Sequence, residues 1–127
     1  MLNARGPRQK RRQLLAGVAK SVIMYAAPVW SDALSCDTYA RELRSVYRRL
    51  CLRVCSAFRT VSEDAALVIA GLHPIDLLAV EATKNYCESA ANRESRRSEV
   101  LKKWQDRWDA SEKGRWTHQL IPNIEKW

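Results

Sequence analysis

Apolar residues recur along most of this chain at the three-and-four spacing of helices that face a core. Leu14, Leu15, Val18, Val22, Tyr25 and Ala26 predict a first helix over about 8–27. Pro28 should end it, with Ala27 pushed towards extended backbone. Gly17 is tolerable inside it, or marks a close approach. A turn over 31–37 leads to a second helix over 37–58, with Asp37 as its cap. Its stripe is Tyr39, Leu43, Val46, Tyr47, Leu50, Val54 and Phe58, within an arc of roughly 120°. Ser62 is the expected N-cap of a short third helix, with Glu63 and Asp64 in the first turn and Gly71 just past its end. His73 and Pro74 open a fourth helix, with Pro74 at the first position and His73 helping to cap it. Ile75, Leu78, Ala82 and Tyr86 share one face of that helix, which should loosen over 89–98. A fifth helix over 97–111 carries the seam Val100, Leu101, Trp104 and Trp108. Gly114 stops it. The tail then holds Trp116, Leu120, Ile121, Pro122, Ile124 and Trp127, an apolar surface that something must cover. The expected fold is all-α: about five helices in an irregular bundle with an irregular, Trp-rich C-terminal tail.

Charge alters this picture by its distribution. The 127 residues carry a net charge of +8. Residues 1–60 hold 12 Lys/Arg against 3 Asp/Glu, and residues 61–127 hold 10 against 11. A polyanionic partner is therefore sought in the first half. Arg41, Arg44 and Arg48 fall opposite the apolar stripe of the second helix, and Arg49 and Arg53 pair on its flank. Guanidinium forks match phosphate geometry and stay charged, so this ridge is a candidate nucleic-acid-binding surface. A solvated helix face is the plain alternative. Only Asp37 and Glu42 lie near enough in sequence to neutralise the ridge. Lys10, Arg11 and Arg12 form a second basic patch, at a helix start where the dipole disfavours cations. No apolar run reaches the ~20 residues of a membrane span, so no membrane partner is expected.

Little else carries chemistry. Two-metal catalysis needs clustered carboxylates, and the one acidic doublet, Glu63-Asp64, is explained by the helix start. No Gly-rich phosphate loop is present. Cys36, Cys51, Cys55 and Cys87 lack zinc spacing to each other or to His73 and His118, and read as free thiols in a reducing compartment. No catalytic or metal-binding residue is assigned, and the chain by itself is expected not to be an enzyme. Trp104 and Trp108, four apart, read as packing residues. Trp116, beside Lys113 and Arg115, is the better candidate for stacking on a base.

Four segments in order resemble one family. Residues 21–30 (SVIMYAAPVW) are similar to a "vllYgaPvW" segment, with Ala26 where many members have Gly. The stretch from Arg48 to Ser62 resembles "qR…lRv…aYRTvS", with Phe58 for the usual Tyr. Residues 65–76 resemble "daa…vlaGlpPi", and residues 104–122 resemble "WQ.rWd.s.kGrWT..LIP". Together they resemble the region after the polymerase core in jockey-like and type-1 non-LTR (LINE-type) retrotransposon reverse transcriptases of arthropods. The resemblance implies a fragment of an RNA-directed DNA polymerase, covering the thumb and the connector after it. By that division, 1–7 is a disordered end, 8–92 a thumb-like helical domain, and 93–127 a connector helix and tail. The implied partners are the backbone of an RNA–DNA hybrid or DNA duplex, together with the missing palm and fingers of the parent. The implied setting is intracellular, and nuclear for the parent element. The parent polymerase would use magnesium. Its fingers, palm and catalytic aspartates would lie upstream of Met1, and its Cys/His knuckle beyond Trp127. Metal binding and polymerase activity therefore do not carry over to these residues.

Two other readings compete. Leu67, Gly71 and Leu77 roughly fit a helix-turn-helix DNA reader, though Ile75, Leu77, Leu78 and Val80 are unsuited to base edges. A helical protein-interaction module would dock through Trp104, Trp108, Trp116 and Trp127.

Overall fold

The computed structural model describes residues 9–88 and 90–127, and among them every regular element is helical. The expected disordered end at 1–7 lies outside the described residues. In chain order the elements are α1 (Gln9–Ile23), α2 (Ala27–Trp30), a 3₁₀ turn (Ser31–Ser35), α3 (Asp37–Cys55), α4 (Glu63–Ala70), α5 (Ile75–Cys87), a second 3₁₀ turn (Ala90–Asn92), α6 (Arg93–Ala110) and α7 (Arg115–Leu120). The all-α expectation holds. The count of about five is low, because α2 and α7 are four and six residues long and give too few positions for a periodic signal.

The helix ends follow local chemistry. The Ser62 side chain accepts a hydrogen bond from the Ala65 amide at 3.4 Å and so caps α4. At the other end Gly71 turns left-handed (φ 66°). The Gly71 amide bonds the Val68 carbonyl and the Leu72 amide bonds the Leu67 carbonyl, the pairing of a Schellman stop. Three expected ends move. Helix α1 stops at Ile23, before Pro28. Left-handed Ala26 (φ 52°) makes the turn, and the Trp30 indole donates to the Tyr25 carbonyl at 2.9 Å to hold it. Pro28 thus lies in the first turn of α2, where its missing N–H is no loss. Asp37 is the first helical residue of α3 and Cys36 its N-cap, without a side-chain bond. Pro74 stands one place earlier than expected, as the N-cap of α5.

The stripes of α1 and α3 are turned from their expected phase: on α1 Leu14, Leu15, Val18 and Val22 are exposed, as is Tyr25 just beyond its end, and Ala16 is buried. On α3 the buried residues are Ala40, Tyr47, Cys51, Leu52 and Val54, whereas Tyr39, Val46 and Phe58 are exposed. The small residues Ala40 and Cys51 let neighbouring backbones approach, so the true inward face centres on them. On α5 the expected face holds at Ile75 and Leu78, which are buried with Ala79, but not at Tyr86, which is 79% exposed. The core joins α3, α4 and α5 to Trp104, Trp108 and Ile121, so the expected tryptophan seam of α6 does face inward. Helix α6 starts at Arg93, although its first turns are polar. Arg96 is buried (5% exposed) and donates to Asn85 Oδ1 at 2.8 Å and Glu88 Oε2 at 2.7 Å. Bonds of this charge-assisted kind replace the apolar contacts the sequence lacks there. The tail folds back along α6: Trp108 Nε1 donates to the Ile121 carbonyl, and Gln105 bonds both the Pro122 carbonyl and the Ile124 amide, each at 2.9 Å.

Gly114 (φ 80°) sets the turn into α7. A Cβ there would meet Ser62 Oγ at 2.8 Å and Ala65 Cβ at 3.1 Å, whereas one at Gly71 would meet open space. Gly114→Ala should therefore cost about 2–3 kcal/mol and Gly71→Ala only about 1 kcal/mol in urea unfolding, since the first adds overlap to left-handed strain. Equal losses would contradict the close approach at Gly114.

His73 does not cap α5 as expected; its ring packs on Trp104, with centroids 4.8 Å apart. Burial pushes its pKa down from 6.5 to about 4, and the nearby Arg97 and Lys20 charges push the same way. The unfolded chain takes up this proton near pH 6.5 and the folded chain only near pH 4. Stability should thus fall as pH drops through that window. His73→Gln should flatten the decline between pH 6.5 and 5 in unfolding midpoints; an unchanged decline would assign it to other groups.

Candidate nucleic-acid interface

Because α3 is turned, its arginines do not form one line opposite the core. Arg44 and Arg48 are half-buried on the flank of the inward face, while Arg41, Arg49 and Arg53 are exposed. Arg44 Nε donates to the Ala40 carbonyl at 3.2 Å, and its guanidinium lies 3.6 Å from the Asp37 carboxylate. Arg48 Nη2 donates to the carbonyls of Arg59 and Val61, both at 2.6 Å. These carbonyls belong to the segment that follows the left-handed end of α3 at Ser56 (φ 54°) and leads to α4. Arg48 therefore shapes the junction between the two helices.

That junction brings Arg59 beside the ridge, a residue the sequence reading missed. Arg48, Arg49, Arg53 and Arg59 line a cleft of about 420 Å³ whose remaining walls are Leu52 and Ala57. Among the described residues no acid lines it. Arg59 lies outside the helix, so helical spacing could not associate it with Arg49 and Arg53. The N-terminal part of the ridge differs: Arg41, Arg44 and Arg48 share a shallower cleft with Asp37 and Glu63. The Glu63 carboxyl is held above its usual pKa, by burial first and by Asp64 second. Asp64 accepts a hydrogen bond from Ser111 at 2.9 Å, so it serves the contact between α4 and the α6–α7 turn, while Glu63 faces the arginines of α3.

Several acids of the later helices pair with bases of α5 and α6, while Glu94 and Asp106 of α6 have no ion pair among the described residues. Glu81 pairs with Arg97 at 3.1 Å, Glu88 with Arg96 at 2.7 Å, Asp76 with Arg107 at 3.0 Å, and Glu99 with both Lys103 and Lys84. Among the described residues Arg41, Arg49, Arg53 and Arg59 have no ion pair. The positive surplus of the first half is therefore left outward, on the C-terminal part of α3 and the segment after it.

The other candidates are placed apart. Lys10 and Arg11 are exposed on α1. Arg12 points to the inner side of α1, where its Nε and Nη1 are shut off from solvent without a hydrogen-bond partner. Trp116 is 78% exposed on α7. The large cleft that α7 shares with Arg48 is lined by Lys113, Gly114 and Thr117 on that side, and Trp116 is not among its walls. The four cysteines are free. Burial pushes the Cys51 thiol up to about 12, which leaves it unreactive.

Sequence comparison sets the chain in a lineage. The chain is 33% identical over 90% of its length to a 115 kDa protein in type-1 retrotransposable element R1DM of Drosophila melanogaster. It is 31% identical over 87% of its length to a retrovirus-related Pol polyprotein from type-1 retrotransposable element R1 of Nasonia vitripennis, and 32% over 87% to one of Bradysia coprophila. The chain is a homologue of insect R1 retrotransposon proteins. It spans 13%, 37% and 13% of the lengths of these three R1 relatives. No family model and no solved structure matches it.

The geometry separates two kinds of arginine. Arg48→Ala strips hydrogen bonds from two carbonyls of the α3–α4 junction and should lower unfolding free energy by about 2–3 kcal/mol. Arg49→Ala, on an exposed position, should stay within about 0.5 kcal/mol of the parent. Chemical denaturation of both variants checks this, and similar losses would mean that Arg48 holds nothing.

Proposed function

We propose that this R1 homologue is the helical thumb and connector of a retrotransposon RNA-directed DNA polymerase, and that it grips the phosphate backbone of template–primer nucleic acid. The observation that carries this reading is the acid-free cleft of Arg49, Arg53 and Arg59, with Arg48 fixed at its base. Backbone contacts of this kind give affinity without reading sequence. Arg41, Lys10 and Arg11 extend the positive surface, Arg44 and Arg48 hold its shape, and Trp116 offers an exposed ring for an unpaired base. The partners are an RNA–DNA hybrid or DNA duplex and the palm and fingers of the longer polypeptide, acting in the nucleus.

Polymerase chemistry in such a parent would use magnesium. Among the described residues no group of three His, Cys, Asp or Glu side chains comes together to hold a metal ion. These residues do not fit that centre, and no catalytic step is assigned to them. The competing readings are weaker on the same grounds. A helix-turn-helix reader would use the start of α5, yet Ile75 and Leu78 are buried there. A tryptophan docking module would need Trp104 and Trp108, which the core occupies.

Retention of the chain on immobilised duplex or hybrid should fall steeply as salt rises. Arg49→Ala, Arg53→Ala and Arg59→Ala should each reduce the slope of log affinity against log salt by about one, uniformly across sequences. Retention that is absent at low salt, unchanged at high salt, or dependent on base sequence contradicts the proposal.

A further inference from the structure

Helix α1 has two apolar faces, and the larger one points outward. Ala16 is fully buried and Ile23 packs against the core, on the side shared with Arg12. Leu14, Val18, Val22 and Leu15 fall within an arc of about 100° on the other side. These four, with Tyr25 and Val29 beyond the end of the helix, are 59–83% exposed. Single exposed apolar residues are ordinary, but six along one short stretch exceed what a monomer usually leaves uncovered. Their combined surface is on the order of the ~800 Å² per partner that a standard interface buries. Gly17, at the edge of this face, has open space where a Cβ would be, so among the described residues no packing explains a glycine in mid-helix.

The charges at the two ends of the stripe are opposite. Lys10 and Arg11 are exposed at its start, and the first turn of α1 contains no acid. Asp32 is exposed three residues after Val29. Among the described residues none of the three has an ion pair. A two-fold interface must be self-complementary. An antiparallel copy sets Lys10 and Arg11 of one chain against Asp32 of the other, at both ends at once. A parallel copy would oppose like charges.

We propose that the outward face of α1 is a self-association surface, on which a second copy of this chain docks antiparallel through Leu14, Leu15, Val18 and Val22 with Arg11–Asp32 pairs at the ends. The apolar stripe is distinct from the arginine cleft, although Lys10 and Arg11 border both surfaces, so the test uses chain free of nucleic acid. The test is sedimentation equilibrium of the full chain, freed of nucleic acid, up to about 100 μM, well above the micromolar upper end for interfaces of this size. The expected result is a dimer. Val18→Glu with Val22→Glu, both on exposed positions, should give a monomer of unchanged helical circular dichroism. Arg11→Asp and Asp32→Arg should each raise the dimer dissociation constant at least tenfold, and the two together should restore it. A monomer throughout, a dimer indifferent to the glutamates, or a double charge swap that fails to restore association overturns the proposal.

Discussion

The fork of Arg48 against two backbone carbonyls is the contact on which the basic surface depends. Where α3 ends at Ser56, the chain must cross to α4 without regular structure, and its carbonyls need donors. One guanidinium nitrogen at 2.6 Å from both the Arg59 and the Val61 carbonyls supplies them. That fixes the crossing, sets Ser62 where it can cap α4, and brings Arg59 beside Arg49 and Arg53. Lysine offers a point charge on a flexible stem, so it could not hold the same geometry as firmly.

Charge is arranged by pairing as much as by count. The later half of the chain has almost equal numbers of acids and bases, and Asp76, Glu81, Glu88 and Glu99 are used in pairs with bases of α5 and α6. Arg96 is the clearest case, a buried cation held by Asn85 and Glu88. Of that half, Glu63 reaches the N-terminal part of α3 beside Arg41, Arg44 and Arg48, and among the described residues no acid lines the cleft at the C-terminal part. The surplus of the first half therefore meets solvent, and crowding of like charge around Leu52 and Ala57 works against the compact state. A ligand with oxygens bearing negative charge would relieve that repulsion, which is why the acid-free cleft matters more than the overall +8.

The parts of the fold legible in sequence were those set by local chemistry. Ser62 and Gly71 lie at the expected helix boundaries because capping and left-handed turns need only near neighbours, and Trp104 and Trp108 face the core because their apolar surface is too large to leave in water; Gly114, expected to stop α6, instead opens α7, since α6 already ends at Ala110. The phase of α1 and α3 was not legible. A stripe of large apolar residues was assumed to face inward, but close packing here uses Ala16, Ala40 and Cys51, whose small side chains give a weak periodic signal. The candidate site suffered for the same reason. Rotation of α3 drew Arg44 and Arg48 into the structure and left Arg49 and Arg53 outside, while Arg59 joined them through a tertiary contact that no helical spacing encodes.

The two outward surfaces differ in what they require of the rest of the chain. The basic cleft is assembled from two segments, so it exists only while the α3–α4 junction is closed. The apolar stripe lies on one helix and needs only that α1 stays helical and keeps Ala16 and Ile23 seated. Helix α1 is a poor helix by itself: Gly17 weakens it, and Lys10, Arg11 and Arg12 crowd the positive end of its dipole. Its order then depends on the core contact of its small inner face, which is narrow, and on whatever covers its larger outer face. Loss of that cover should loosen α1 before it disturbs α3, because α3 is also anchored by α4 and α5. The chain thus concentrates its stability in the α3–α4–α5 core and leaves α1 as the element most sensitive to association.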